Sequence, residues 1–411
     1  MTGSPLLSLT EVDLGSLADL VVSPRRLLDA LGGERITVRV GDHRLAVSSN
    51  DPAQLDYLQT LFVPSSRLWA VEASPGPPPV RAAVGLRVGE DRLRALVGAL
   101  EARSHAKTSV RMHVNAPAVQ HSMADGVKWT CAEGTSSVDG PVLVVHSDRG
   151  LVCLSTDHAY GHLDFARQLR EYGYRRAEDD AWVGFHASCA ELPGGGGALI
   201  VGRSTAGKST LALSLAMARG GGFVANDRVV VRADSGPDPR LTGIGMPVPI
   251  RVNGGTVKAL GLVEAVGWTL LRPQPDYRNS DWDRFGGHSK LNVLPAEWRD
   301  RTRTRLVDEV DLRVVILPRA RSARVGLRIT PADPAEVADV VTEQCMAPDD
   351  EVFVEDWLTL RQTAADELRR NAVRTVRHLT RLPALSVEFG PGTSLPELGA
   401  ELAEVARSVW R

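Results

Sequence analysis

Residues Ala198–Thr210 read ALIVGRSTAGKST. A buried-strand run, Ala198-Leu-Ile-Val, feeds a glycine-bounded loop, and the loop feeds the apolar helical stretch that starts at Thr210-Leu-Ala-Leu. The spacing from Gly202 through Arg203, Ser204, Thr205 and Ala206 to Gly207-Lys208-Ser209 fits G-x-x-x-x-G-K-[ST], with Thr210 next. Strand before and helix after are the context in which this spacing works as a phosphate loop. Its glycines let backbone N–H groups converge on phosphate oxygens. The helix that follows turns its positive dipole end to the same point. Lys208 then supplies a compact charge to the β- and γ-phosphates, and Ser209 a hydroxyl to Mg²⁺. The pattern predicts a site for ATP or GTP.

The loop leaves the reaction open. A small GTPase needs a base-reading N-K-x-D, which does not occur; Asp283-x-x-Gly286 matches D-x-x-G, but no strand leads into it. No run of four apolar residues ends in the Asp-Glu pair of a motor-type ATPase at a plausible strand end.

Outward from the loop, 411 residues are enough for two or three domains. The regions expected are an N-terminal α/β domain over 1–180, with a turn or linker near 73–79, a core over 181–345, and a helical C-terminal extension over 346–411 packed on it. Formal net charge is −2, so no global basic field points to nucleic acid. No 18-residue apolar run exists, so no membrane span is expected. Scattered cysteines (Cys131, Cys153, Cys189, Cys345) and an N-terminus lacking a basic, then apolar, leader suggest reduced thiols and a cytoplasmic protein. Only five of the 48 basic residues are lysine, which draws notice to Lys208 and Lys290.

Strands are expected at Arg35–Val40, in a hairpin of Pro141–His146 with Gly150–Ser155, along Val183–Leu192, and at Gly222–Ala225, Pro249–Val252 and Leu312–Leu317. Helices are expected at Asp51–Phe62, His162–Tyr172, Pro334–Gln344, Asp356–Arg381 and Leu395–Trp410. His158 and His162 have metal-pair spacing on a helix, without a partner of known geometry. The loop over 272–289, with Arg272, Arg278, Trp282 and Arg284, reads either as a lid over an acceptor or as a surface excursion.

The order His186-Ala187, then Gly202–Thr210, then Ala225-Asn226-Asp227-Arg228-Val229 resembles HPr kinase/phosphorylase and its serine-kinase-like relatives, which share a core with phosphoenolpyruvate carboxykinase. The resemblance is dense over 182–232 and thin over 247–330. It implies an α/β fold with a P-loop kinase core of the HPr kinase/PEP carboxykinase type. It also implies transfer of a γ-phosphate to a hydroxyl, with Ser209 and Asp227 toward Mg²⁺ and Asp227 with His186 preparing the acceptor. Relatives carry a lysine before a similar V-x-L-P segment, which marks Lys290; Arg251 is the candidate to bridge donor and acceptor. Taken alone, His186 reads as a hydrogen-bonded strand histidine, Lys290 as a surface lysine and Arg251 as a strand arginine.

One departure bears on the chemistry. The family has two aspartates where this chain has Asn226-Asp227. Asparagine takes no proton and offers a cation only a neutral carbonyl. Asp227 therefore does more, or Glu191, Asp281 or Asp283 joins it. The acceptor expected is a small hydroxyl metabolite, such as a nucleoside or amino-acid-type intermediate of specialised metabolism. The alternatives are a serine on a carrier protein or ribosomal peptide, and a nucleotide-binding regulator or ATPase without an acceptor; a homo-oligomer stays open.

Overall fold

The computed structural model describes residues 12–72, 79–112, 116–135, 138–156, 162–236, 239–262, 290–323, 325–347 and 356–410. The chain is mixed α/β and groups into two compact units. One comprises Met1–Ala177 with Glu351–Gln362; the other comprises Glu178–Asp350 with Thr363–Arg411. The stretch Glu351–Gln362 groups with the N-terminal unit.

The first unit is built on a nine-stranded sheet. Its order is Trp69–Glu72, Ile36–Val40, His43–Ser49, Arg81–Val88, Gly150–Thr156, Val138–Ser147, Lys128–Thr135, Ala116–Ser122, Ala106–Met112. The expected hairpin forms, with Val144 opposite Cys153. Helices Leu14–Val21, Pro24–Leu31 and Glu90–Glu101 bury Leu17, Leu28 and Leu96 against Val84, Leu143 and Val152. The helix expected after Asn50-Asp51-Pro52 runs Pro52–Leu61, and the Asp51 side chain caps it by accepting from the Ala53 N–H at 3.0 Å.

The second unit carries a sheet in the order Val183–Phe185, Val229–Ala233, Leu241–Gly245, Glu309–Ala320, Gly197–Val201, Ala187–Glu191, Gly222–Ala225. The long central strand Glu309–Ala320 also pairs in parallel with Ala384–Phe389, which continues to Arg328–Pro331. One face is covered by helices Lys208–Met217 and Leu395–Trp410, the other by Pro334–Glu343 and Ala365–Leu379. Helix Lys208–Met217 is buried almost all round, as its apolar run Leu211–Ala216, broken only by Ser214, requires. The two helices on that face touch closely: a Cβ on Gly399 would stand 2.2 Å from the Ser214 carbonyl oxygen.

Three expectations change. The single strand Val183–Leu192 is two strands, Val183–Phe185 and Ala187–Glu191, interrupted at His186. The helix expected over Asp356–Arg381 is shorter, Ala365–Leu379, because Asp356 closes a turn by accepting from the Arg361 N–H at 2.6 Å. The C-terminal third is not purely helical, since Ala384–Phe389 alternates buried Leu385, Val387 and Phe389 with half-buried neighbours and joins the sheet. The loop over 272–289, the linker 73–78 and His158 lie outside the described residues, as do Asp281 and Asp283; of His162 only the backbone, at a helix start, is described.

Candidate functional site

The second unit holds a cleft lined by His186, the loop Ser204–Thr210, Asp227, Arg251, Asn253, Thr256, Lys290 and Ala320. It encloses about 630 Å³ of empty space, its open mouth included.

The loop forms the first wall. Strand Gly197–Val201 runs parallel to Glu309–Ala320 and delivers the loop at the sheet's end. Thr205 at φ +64° and Gly207 at φ +105° turn the chain through left-handed conformations before the helix starts at Lys208. Glycine is required at 207 for two reasons, since a Cβ there would also stand 2.6 Å from the Phe389 ring. The loop is pinned from the side by the Ala320 N–H, which donates to the Ala206 carbonyl at 2.9 Å. Lys208 folds back onto the loop and donates from Nζ to the Gly202 carbonyl at 2.6 Å and the Arg203 carbonyl at 3.2 Å. Gly202 and Arg203 accordingly do not line the cleft; they give carbonyls to Lys208, while the Arg203 guanidinium reaches out to Glu343 at 3.2 Å.

The second wall comes from a gap in strand pairing. Phe185 pairs with Val229 on one side and Cys189 with Ala225 on the other. Residues 186 and 226–228 fall between the two paired stretches, where the chain crosses from one part of the sheet to the next. His186 Nε2 lies 3.2 Å from Asp227 Oδ1 there. The His186 backbone N–H is fixed to the Gln344 carbonyl at 2.8 Å. Asp227 sits at φ +75°, a left-handed conformation uncommon outside glycine that swings its carboxylate off the strand line. Arg228 Nε approaches the same carboxylate at 3.8 Å.

A two-stranded ribbon forms the third wall. Ile250–Asn253 pairs antiparallel with Lys290–Val293, Asn253 opposite Lys290 and Arg251 opposite Asn292. This pairing brings Arg251 and Lys290 to one ribbon from positions far apart in sequence. The ribbon is fastened to the loop's helix by a buried hydroxyl pair, Thr210 Oγ1 to Thr256 Oγ1 at 2.8 Å. The Thr210 hydroxyl is therefore engaged within the fold.

The charges in this cleft are unbalanced. Among the described residues, Lys208, Arg251 and Lys290 face a single lining carboxylate, Asp227. Burial lowers the Lys208 ammonium to about 8, with Lys290 and Arg228 pushing the same way and Asp227 opposing. Burial also lowers Lys290, and Arg251 beside it adds to the effect. Burial pushes the Asp227 carboxyl up, but the His186 hydrogen bond and the Arg228 and Arg251 charges outweigh it and hold it well below the usual carboxylate range. Three donor-only cations, exposed loop N–H groups and a helix start suit a polyanion such as a nucleotide polyphosphate. Ser209 and Asp227, both lining the cleft, are an oxygen set suited to Mg²⁺.

Six side chains singled out in the sequence lie on this cleft: Asp227, His186, Lys208, Lys290, Arg251 and Ser209. Glu191 does not; it sits at the other end of its strand, ion-paired with Arg305. Asn226 is 2% exposed, lies outside the lining, and neither side-chain polar atom has a partner among the described residues. Asn253 and Thr256 are lining residues the sequence reading missed. The available signal was Asn253-Gly-Gly-Thr256, an N-cap spacing in which Asn253 Oδ1 accepts from the Thr256 N–H at 2.8 Å.

No family model matches the chain, and no curated protein matches it. Among solved structures it is similar to the HPr(Ser) kinase/phosphatase from Coxiella burnetii, at 15% identity and a TM-score of 0.24, over 55% of this chain and 90% of that one. A TM-score of that size carries no argument, and the functional reading rests on the geometry of the cleft.

Proposed function

We propose that this chain is a Mg²⁺-dependent kinase that moves the γ-phosphate of ATP or GTP to a hydroxyl of a small metabolite, such as a nucleoside or amino-acid-type intermediate. The observation that supports it is the meeting, in one cleft, of the 204–210 loop with the Asp227–His186 pair. Loop N–H groups would hold the donor phosphates, and Lys208 would exchange its two carbonyl partners for phosphate oxygen. Ser209 and Asp227 would hold the metal, whose chemistry is to neutralise charge on the phosphate oxygens. The Asp227–His186 pair would orient the acceptor hydroxyl and take up its proton as the new O–P bond forms and the bond from Pγ to the leaving diphosphate breaks. Most of the rate would come from positioning and electrostatics, since such a transfer asks little covalent chemistry of the protein.

Nucleotide turnover followed by phosphorus NMR, with Mg²⁺ and a panel of small alcohols and seryl peptides, tests this reading. A new phosphate monoester on a small alcohol is the expected result. A monoester on the peptides alone would make the chain a peptide kinase. Free phosphate without ester would make it a nucleotide hydrolase, and binding without turnover a regulator; either overturns the proposal.

A further inference from the structure

The ribbon wall holds two cations that repel each other. Lys290 is half-buried, Arg251 is exposed, and Arg251 lies close enough to depress the proton affinity of Lys290. Neither side chain donates a hydrogen bond or forms an ion pair within 4 Å among the described residues. Three other arginines of this unit are matched, Arg321 with Glu388 at 2.7 Å, Arg313 with Asp311 at 2.5 Å and Arg319 with Glu336 at 2.5 Å, but none of these lines the cleft. Holding like charges together in a half-buried cleft raises the energy of the empty site, and an anion between them would lower it.

A third group points the same way. Asn253 stands opposite Lys290 in the ribbon, is 9% exposed, and lines the cleft. Its Oδ1 accepts from the Thr256 N–H, and its Nδ2 amide is a donor. Arg251, Asn253 and Lys290 therefore each offer a donor. Lys208 and the 204–210 loop make a separate donor set, joined to the ribbon through the Thr210–Thr256 pair. One carboxylate, Asp227, serves both walls.

We infer that the ribbon is a second anion subsite, and that the hydroxyl acceptor carries its own carboxylate or phosphate, held by Arg251, Lys290 and the Asn253 amide while the donor phosphates occupy the loop. This rests on the kinase reading above and narrows its substrate class to anionic alcohols. A neutral nucleoside or an uncharged seryl side chain leaves the ribbon cations unmatched. A bidentate guanidinium and a point-charge ammonium together suit a planar or tetrahedral oxyanion.

The competing assignment is that the ribbon cations serve the donor's γ-phosphate. Filling the γ-position separates the two. The full chain is saturated with Mg²⁺ and the β,γ-imido analogue of ATP, and inorganic phosphate is then titrated in by calorimetry, with malonate as a carboxylate probe. The subsite predicts saturable binding of at least one probe to the analogue-loaded chain. It also predicts at least tenfold weaker probe binding in Arg251→Gln and Lys290→Gln, a smaller loss in Asn253→Ala, and no change in Lys258→Gln, which alters a lysine outside the cleft. Affinity for the analogue itself should move less than threefold in all four. Absence of probe binding with the analogue bound overturns the subsite. So does a loss of analogue affinity in the ribbon variants that matches their loss of probe affinity, because the ribbon then serves the donor. If the analogue does not bind at all, the kinase reading fails instead. In that event ribbon-dependent phosphate binding to the nucleotide-free chain upholds the anion subsite, and its absence ends both proposals.

Discussion

The two charged walls of the cleft differ in how their cations are held. On the loop, Lys208 is buried and its ammonium satisfied by two carbonyls of the same loop, Gly202 and Arg203. On the ribbon, Arg251 and Lys290 lack such partners among the described residues, and burial with the Arg251 charge lowers the Lys290 ammonium. The loop is locally encoded: glycine spacing, lysine and helix lie within thirteen consecutive residues, Ala198–Thr210. The ribbon is encoded only by pairing across the chain, with Ile250 opposite Val293. The loop is pinned by the Ala320 N–H, and the ribbon is held by Ile250, Val252, Leu291 and Val293 packed in the core together with the Thr210–Thr256 pair just beyond its first strand.

The largest effect should come from the loop. Lys208→Met keeps the aliphatic stem and removes the charge, and phosphoryl transfer should fall on the order of 10³-fold or more. Circular dichroism and a thermal scan would check that the fold persists. Transfer within tenfold of the parent rate would shift the donor site off the loop and reverse the ranking of the two walls.

The carboxylate between the walls comes next. Asp227→Asn should lower the rate by about 10²-fold, the usual range for a metal ligand or proton acceptor. His186→Asn should cost less, because it leaves the Asp227 carboxylate in place and removes only its 3.2 Å imidazole partner, and Asn226→Ala least of all. Steady-state rates at saturating donor rank the three, and a greater loss at Asn226 than at Asp227 would relocate the chemistry.

How much of this was legible beforehand follows the same division. The loop, Asp227 and His186 could be read because each sits at a strand end with a characteristic neighbour sequence. That His186 and Asp227 face each other depends on the unpaired gap between Phe185–Val229 and Cys189–Ala225, which no single segment records. Asn253 and Thr256 look like ordinary cap residues until the ribbon brings them to the cleft. Ala384–Phe389 was hidden between two helical patterns, although the alternation of Leu385, Val387 and Phe389 was there to be counted. The overlong helix from Asp356 failed at a turn made by a side chain, Asp356 to the Arg361 N–H, which competes locally with helical bonding.

The fastening can be tested by a double-mutant cycle. Thr210→Val or Thr256→Val alone leaves the other buried hydroxyl without its partner and should cost about 1–3 kcal/mol in denaturant unfolding. The double variant should cost clearly less than the sum. Additive losses would mean that the walls are joined some other way.

Asn226→Asp should have the smallest effect at low pH and a growing one above it. A carboxyl placed at this buried position would have its pKa raised above the unfolded value of about 4. The folded variant then binds more protons than its unfolded chain, so stability relative to the parent falls as pH rises from about 4. Melts between pH 4 and 8 would show it; a pH-independent difference would mean that the site supplies a cation or water to the new charge.

The chain's five lysines make the central claim directly readable. Lysines labelled with carbon-13 at Cε give one titrating signal each by NMR. Two should titrate low, Lys208 at about 8 through burial and Lys290 below its ordinary value through burial and Arg251. Addition of Mg²⁺ with the β,γ-imido analogue of ATP should raise the Lys208 midpoint, because phosphate oxygens favour its charged form, and should couple binding to proton uptake above pH 8. All five signals titrating near the ordinary lysine value, with none moved by the nucleotide, would contradict the assignment of this cleft to phosphate.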